Sequence, residues 1–164
     1  MEPLQIALIA TILLCALVAG LTFTFATVVM PGLGELSDRE YLQGFKAIDG
    51  VIQNRQPAFM VVWIGSVIAL AATLVLGVQQ LAGAELMLLM AAAGIYVFGV
   101  QVPTAVVNIP LNNQVQALDL ASLDAQALAR ARSDFEPRWT RWNTIRTILA
   151  CLAVVLLIVL ALRL

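Results

Sequence analysis

The chain contains no histidine. That removes a common ligand for haem, zinc and copper, and the side chain that most often moves protons near neutral pH. Only two cysteines are present, Cys15 and Cys151, each inside a long apolar run. Free cysteines in such places act as small hydrophobes, and no Cys-x-x-Cys pair is available for redox or metal chemistry. Charge is scarce. Asp, Glu, Lys and Arg make up 12% of the 164 residues, against about 25% in soluble domains. Nine Lys and Arg against ten Asp and Glu leave a net charge of −1, so nothing invites nucleic acid. Glycine-rich phosphate loops and nucleophile elbows are missing too. The expectation is a protein without a metal site and without a resident cofactor.

What is abundant is apolar: hydrophobic residues make up 62%. Such a chain reads as an integral membrane protein before any segment is placed. At about 20 residues per spanning helix, it has room for four spans and two modest loops. The expected fold is all-α: a four-transmembrane-helix bundle with two short amphipathic interfacial helices in the loops. It forms a single membrane domain over residues 1–164, with spans at about 4–29, 57–78, 84–107 and 138–162. The loops fall at about 32–56 and 108–137.

The first apolar run lacks a basic leader and is too long for a signal core, so we expect it to be retained as a span. Thr11, Cys15, Val18 and Thr22 share one of its faces. Pro31-Gly32 is expected to end it. Ser37 and Glu40 form a capping-box pattern, and Tyr41, Leu42, Phe45, Ile48 and Ile52 continue as an apolar stripe. That predicts an amphipathic helix at the interface or over the bundle mouth. Pro57 suits the first turn of the second span. Gly65, Ala69, Thr73 and Gly77 repeat every four residues, a small-residue ridge for close packing. Trp63 is expected to pack rather than to touch ligand. Asn108-Ile-Pro-Leu-Asn-Asn113 reads as a breaker-rich turn, 117–132 as the second interfacial helix, and Pro137 as the start of the last span.

Under this arrangement eight cations gather on one side: Arg39, Lys46, Arg55, Arg130, Arg132, Arg138, Arg141 and Arg146. Arg163 stands alone on the other. The bias predicts a multi-pass protein of a bacterial inner membrane, its large loops cytoplasmic and both termini outside. No Asp or Glu falls in the middle of a span, which disfavours ion-coupled transport.

The stretch 135–146 concentrates the remaining chemistry. Trp139, Trp142, Asn143 and Arg146 recur at i, i+3, i+4 and i+7, one face of a helix. An aromatic belt with snorkelling arginines has the same appearance. Arg146 lies about 25 Å along the helix from Arg163 at 1.5 Å per residue, near one edge of the hydrocarbon. On geometry alone, anchor and site weigh equally. Asn143 tilts the balance, because a bare amide in lipid is costly and needs partners. Gln101, Asn108, Asn112 and Asn113 approach from the facing side of the same mouth. Aromatic faces, amides and one guanidinium suit a flat hydrophobic ligand carrying oxygen.

Three motifs stand together here: Met30-Pro-Gly-Leu33, Asn108-Ile-Pro-Leu-Asn112, and Trp139-x-Arg-Trp-Asn-x-x-Arg146. In this combination the chain resembles the anthrone oxygenase-like family of four-helix membrane proteins, most of whose bacterial members have no assigned function. The resemblance implies oxidation of an anthrone-like aromatic by O2 as co-substrate, without a cofactor. It implies that Arg146 and Asn143 hold an oxyanion, that Trp139 stacks on the ring and that Asn112 adds a hydrogen bond. Trp142, Gln101 and Asn108 complete the expected substrate contacts. A base is missing from this set; Asp134 and Glu136 are the nearby substitutes. The competing reading is a non-catalytic lipid- or quinone-binding protein, or an accessory subunit of a larger membrane complex. Expected partners are the bilayer, a hydrophobic small molecule, and a second copy or larger assembly; nucleic acid is not among them.

Overall fold

A computed structural model describes residues 2–164. Five helices follow one another: α1 (Pro3–Gly34), α2 (Asp38–Gln53), α3 (Pro57–Gln80), α4 (Gly83–Gln116) and α5 (Ala125–Ala161). No strand occurs among the described residues. All but α2 are long and apolar enough to cross a bilayer. The protein is therefore an all-helical, multi-pass membrane protein.

Two expected breaks, at Pro31-Gly32 and at 108–113, do not occur. Helix α1 runs through Pro31-Gly32, and α4 runs through Pro103 and Pro110. Each of these prolines follows a π-helical turn, at Phe25–Val29, Val97–Gln101 and Thr104–Asn108. In each case proline sits two residues after the turn ends. A proline has no N–H, and its ring collides with the carbonyl four residues back. The residue just before each proline (Met30, Val102 and Ile109) instead donates five residues back, to Phe25, Val97 and Thr104. This wider turn relaxes the register where the ring must fit. The segment 108–113 is consequently helical, not a turn.

The expected second interfacial helix is not a separate element. Residues 118–124 form turns, and α5 starts at Ala125. Asp124 caps it, its carboxylate accepting from the Ala127 N–H at 2.8 Å. The helix then runs unbroken through Pro137, so it begins twelve residues earlier than Pro137 suggested. Leu128, Phe135 and Trp139 are buried along one face, and that burial holds the helix together across the one lost hydrogen bond.

Packing is closest away from the mouth. Leu8, Cys15, Leu89, Ala92, Ala153 and Leu157 are among the residues of a dry core there. The face Thr11, Cys15, Val18 and Thr22 is buried as the spacing predicts. Thr11 and Thr73 share a hydrogen bond of 2.8 Å between α1 and α3. A side chain at Gly65 would press on Leu14, and one at Gly77 would run into Leu89 of α4. The small-residue ridge thus serves α1 at one end and α4 at the other.

Helix α2 has its capping box, with Ser37 accepting from the Glu40 N–H. It covers the mouth. Tyr41, Leu42 and Phe45 are buried, and Phe45 meets the rings of Phe135 and Trp139 edge-on at 4.5 and 5.5 Å. Three cations sew the cover down. Arg39 donates to the carbonyls of Leu120 and Leu123, and Lys46 to those of Gln116 and Leu118. Arg132 donates to the carbonyls of Gly34 and Leu36 and pairs with Asp38 and Glu136. Part of the positive bias at this end therefore anchors chain to chain.

Candidate functional site

Beneath α2 lies a cavity of about 950 Å³, walled by all five helices. Helix α5 supplies Trp139, Asn143 and Arg146 at helical spacing, so one stripe enters the space together. Helix α4 supplies Thr104, Asn108 and Asn112 from its π-helical part and the turn after it. Five of the seven expected contact residues thus line one cavity. Trp142 and Gln101 do not. Trp142 is half-buried and packs outside it against the mouth cluster. Gln101 is half-buried too, and its Nε2 has no partner.

The polar groups form two linked sets. At the inner one, Arg146 is only 5% exposed. It donates to Thr104 Oγ1 and to Asn143 Oδ1, each at 2.8 Å. Asn143 in turn donates from Nδ2 to the Thr22 carbonyl at 2.9 Å. That network fixes which way the amide faces, since its oxygen must meet the guanidinium. No carboxylate pairs with Arg146 among the described residues, and its Nε has no hydrogen-bond partner. A buried, unpaired cation is costly by several kcal/mol. In a cavity, such a group is a candidate for binding an anion or an oxygen dipole.

The outer set centres on Asp49, 2% exposed and on the wall of the same cavity. Its Oδ1 accepts from Asn112 Nδ2 at 2.6 Å. Its Oδ2 accepts from Gln53 and Gln116, both at 2.8 Å. Three amides and no cation surround it, which leaves acceptor capacity for one more proton donor. The Asn112 Oδ1 then accepts from the Trp139 indole N–H at 2.7 Å. Trp139 stands between the two sets: its N–H points to the carboxylate side, and Arg146 lies 5.7 Å from its ring centroid. Asn108 donates to the Trp139 carbonyl at 3.4 Å, and its own Oδ1 has no partner.

Asp49 was not among the residues singled out from sequence. A signal existed: Tyr41, Phe45 and Asp49 are spaced by four, so the acid falls on the buried face of an amphipathic helix. Thr22 and Thr104 carried no such sign. Trp63, expected only to pack, lines the cavity and stacks on Phe59 at 5.5 Å. The two substitute bases fall away. Asp134 is exposed, and Glu136 is held by Arg132 at 2.7 Å; neither lines the cavity. Tyr41 is no base either: burial, reinforced by Glu136 and only partly offset by Arg132, pushes its phenol above the ordinary range.

A model of the family described as anthrone oxygenase matches residues 54–156. The chain belongs to that family. The match holds all of α3 and α4 and the cavity-facing part of α5, and so contains Asn108, Asn112, Trp139, Asn143 and Arg146. Asp49 and the rest of α2 precede it, as does α1. No curated protein and no solved structure matches the chain. The family resemblance is thus shown, with the Asn108–Asn112 and Trp139–Arg146 motifs inside the matched stretch and both Met30–Leu33 and the Asp49 carboxylate outside it.

Proposed function

We propose that the protein oxidises a hydrophobic, enolisable aromatic of the anthrone class with O2, on the wall formed by Asp49, Trp139, Asn143 and Arg146. The observation that carries this reading is the pairing, on one cavity wall, of a buried carboxylate acceptor with a buried unpaired guanidinium. A carboxylate base facing oxyanion donors is a working set for enolisation.

The ring lies along Trp139 with its carbonyl oxygen towards Arg146 and Asn143. Asp49 takes a proton from the ring CH2, and the electron pair spreads onto the oxygen that Arg146 faces. The carbon then adds O2, forming a C–O bond, and the peroxide oxygen takes a proton. Loss of the second C–H proton breaks the O–O bond, leaving a quinone carbonyl and one water. O2 accepts the four electrons of the oxidation, and no cofactor is invoked. The gathering of Lys and Arg at this end supports a mouth on the cytoplasmic side of a bacterial inner membrane.

Purified protein supplied with an anthrone and O2 should raise quinone absorbance well above the spontaneous rate. Arg146→Ala should lower that excess about 100- to 1000-fold, and Asp49→Asn about 100- to 10,000-fold. No excess over the spontaneous rate, or an excess undiminished in both variants, would end the proposal.

A second reading is favoured by the cavity's size. About 950 Å³ is near the top of the roughly 300–1,000 Å³ range of ligand pockets, with room for a ring and an attached chain. A quinone bound tightly without turnover would fit it, as a binding module or as a subunit of a larger assembly. Retention of a quinone by the purified protein together with no anthrone oxidation would select this reading.

A further inference from the structure

The wall of the cavity is not closed all round. Helices α3 and α4 are antiparallel neighbours joined at Leu81-Ala82, and near that turn Gly77 lies against Leu89. Their contact lasts as far as Ser66 and Tyr96, whose hydroxyls share a hydrogen bond of 2.7 Å. Beyond that bond the π-helical turns of α4 begin, and the two helices part. The first turns of α3 and the last turns of α4 stand as two prongs with the cavity between them. Ile64 on one prong and Ile109 on the other both line the cavity, yet they are 53% and 47% exposed. They form a rim with one side inward and one side outward.

The depth of this opening is readable from the helix rise. From Pro57 to Ser66 is about 13 Å at 1.5 Å per residue, close to half of a hydrocarbon core of about 30 Å. The fork therefore faces the acyl chains of one leaflet. Behind the apolar rim lie polar groups that lipid tails cannot satisfy: the Arg146 Nε and the Asn108 Oδ1, both buried and without partners. On the water side, α2 is sewn over the mouth by Arg39 and Lys46.

We propose that the fork between α3 and α4 is a lateral portal, through which an uncharged, oxygen-bearing aromatic ring enters from the bilayer rather than from water. The proposal rests on the cavity being the ligand site described above, and not on the reaction. The tight seal at Ser66 and Tyr96 sets the floor of the portal. The ring passes Ile64 and Ile109 edge-first, with Phe59 and Trp63 beside it, and its oxygen reaches Arg146.

The test uses the full chain in lipid nanodiscs, with association followed by stopped-flow quenching of tryptophan fluorescence. The probes are uncharged 9,10-anthraquinone and its water-confined 2-sulfonate. The uncharged ring should associate at a rate that follows its mole fraction in the lipid, and at least tenfold faster than the sulfonate. Ile64→Trp combined with Ile109→Trp should narrow the fork and slow the uncharged ring at least tenfold. Val75→Trp combined with Val78→Trp adds two such rings at exposed sites of α3 far from the fork, and should leave the rate within twofold. Equal rates for the two probes, no slowing in the rim variant, or equal slowing by Val75→Trp with Val78→Trp would overturn the portal. Those results would leave the oxidation standing. Portal-dependent association without quinone formation would do the reverse.

Discussion

Around Leu89 and Leu157 the four spans close over Ala92, Ala93, Ala150 and Ala153, and nothing polar intrudes but hydroxyls bonded to one another or to backbone. Around Trp139 the same helices stand apart, the fill is aromatic, and an Asp and an Arg lie buried without each other's company. The difference is one of side-chain volume and backbone register. Small residues let helices approach until van der Waals contact excludes everything else. Large rings and π-helical turns hold backbones apart and leave space between them. One half of the bundle is built for cohesion, and the other keeps costs that cohesion alone would have removed.

The sharpest way to break this contrast is at Arg146. Arg146→Met should abolish most anthrone oxidation, a fall of about 100-fold or more, while thermal melting in detergent stays the same or rises. Removing a charge buried without a counter-ion relieves a desolvation cost of several kcal/mol, which offsets the loss of its bonds to Thr104 and Asn143. A large drop in melting temperature would show instead that the guanidinium holds the bundle together.

The sealed half should respond the opposite way. Ala92 is fully buried between packed helices, and Ala92→Leu should destabilise by about 1–3 kcal/mol through overpacking. Melting temperature reads that effect, and anthraquinone affinity of the folded fraction should hold. Loss of affinity at unchanged stability would mean that the two halves are not separable.

A smaller effect is expected where the sealed half uses polarity. Thr11→Val removes the 2.8 Å bond to Thr73, whose hydroxyl keeps its bond to the Ala69 carbonyl. The cost should be about 0.6 kcal/mol, the average for interhelical hydrogen bonds in membranes, measured by unfolding in mixed micelles. The smallest effect belongs to Trp142. It lies outside the cavity, so Trp142→Phe should change anthraquinone affinity by less than about twofold, whereas Trp139→Phe breaks the bond to Asn112 and should weaken it by about fivefold, in line with a net hydrogen-bond worth near 1 kcal/mol. Equal losses from the two variants would place Trp142 in the site.

Much of this was readable along the chain. Hydropathy finds all four spans, because burial in lipid demands long apolar runs wherever they sit. The face shared by Trp139, Asn143 and Arg146 follows from helical periodicity, and so does the burial of Thr11, Cys15, Val18 and Thr22. Proline misled the reading twice, at Pro31 in α1 and at Pro110 in α4. Its local preference is to break, and whether a π turn absorbs it depends on the rest of the bundle. Pro137 misled it once more, because burial of Leu128 and Phe135 outweighs one missing hydrogen bond. Trp142 was grouped with Trp139 on spacing, but it stands at the edge of a face about 100° wide, and the cavity stops short of it.

By itself, then, the sequence determined that this is a four-span membrane protein with its charges and amides gathered at one end, since hydropathy and periodicity are properties of single segments. Only the tertiary structure decided that Asp49 faces the same space as Arg146, and that α3 and α4 part above Ser66 and Tyr96. A cavity is a gap in packing among five helices, and no one helix carries the information about where its neighbours stop touching it.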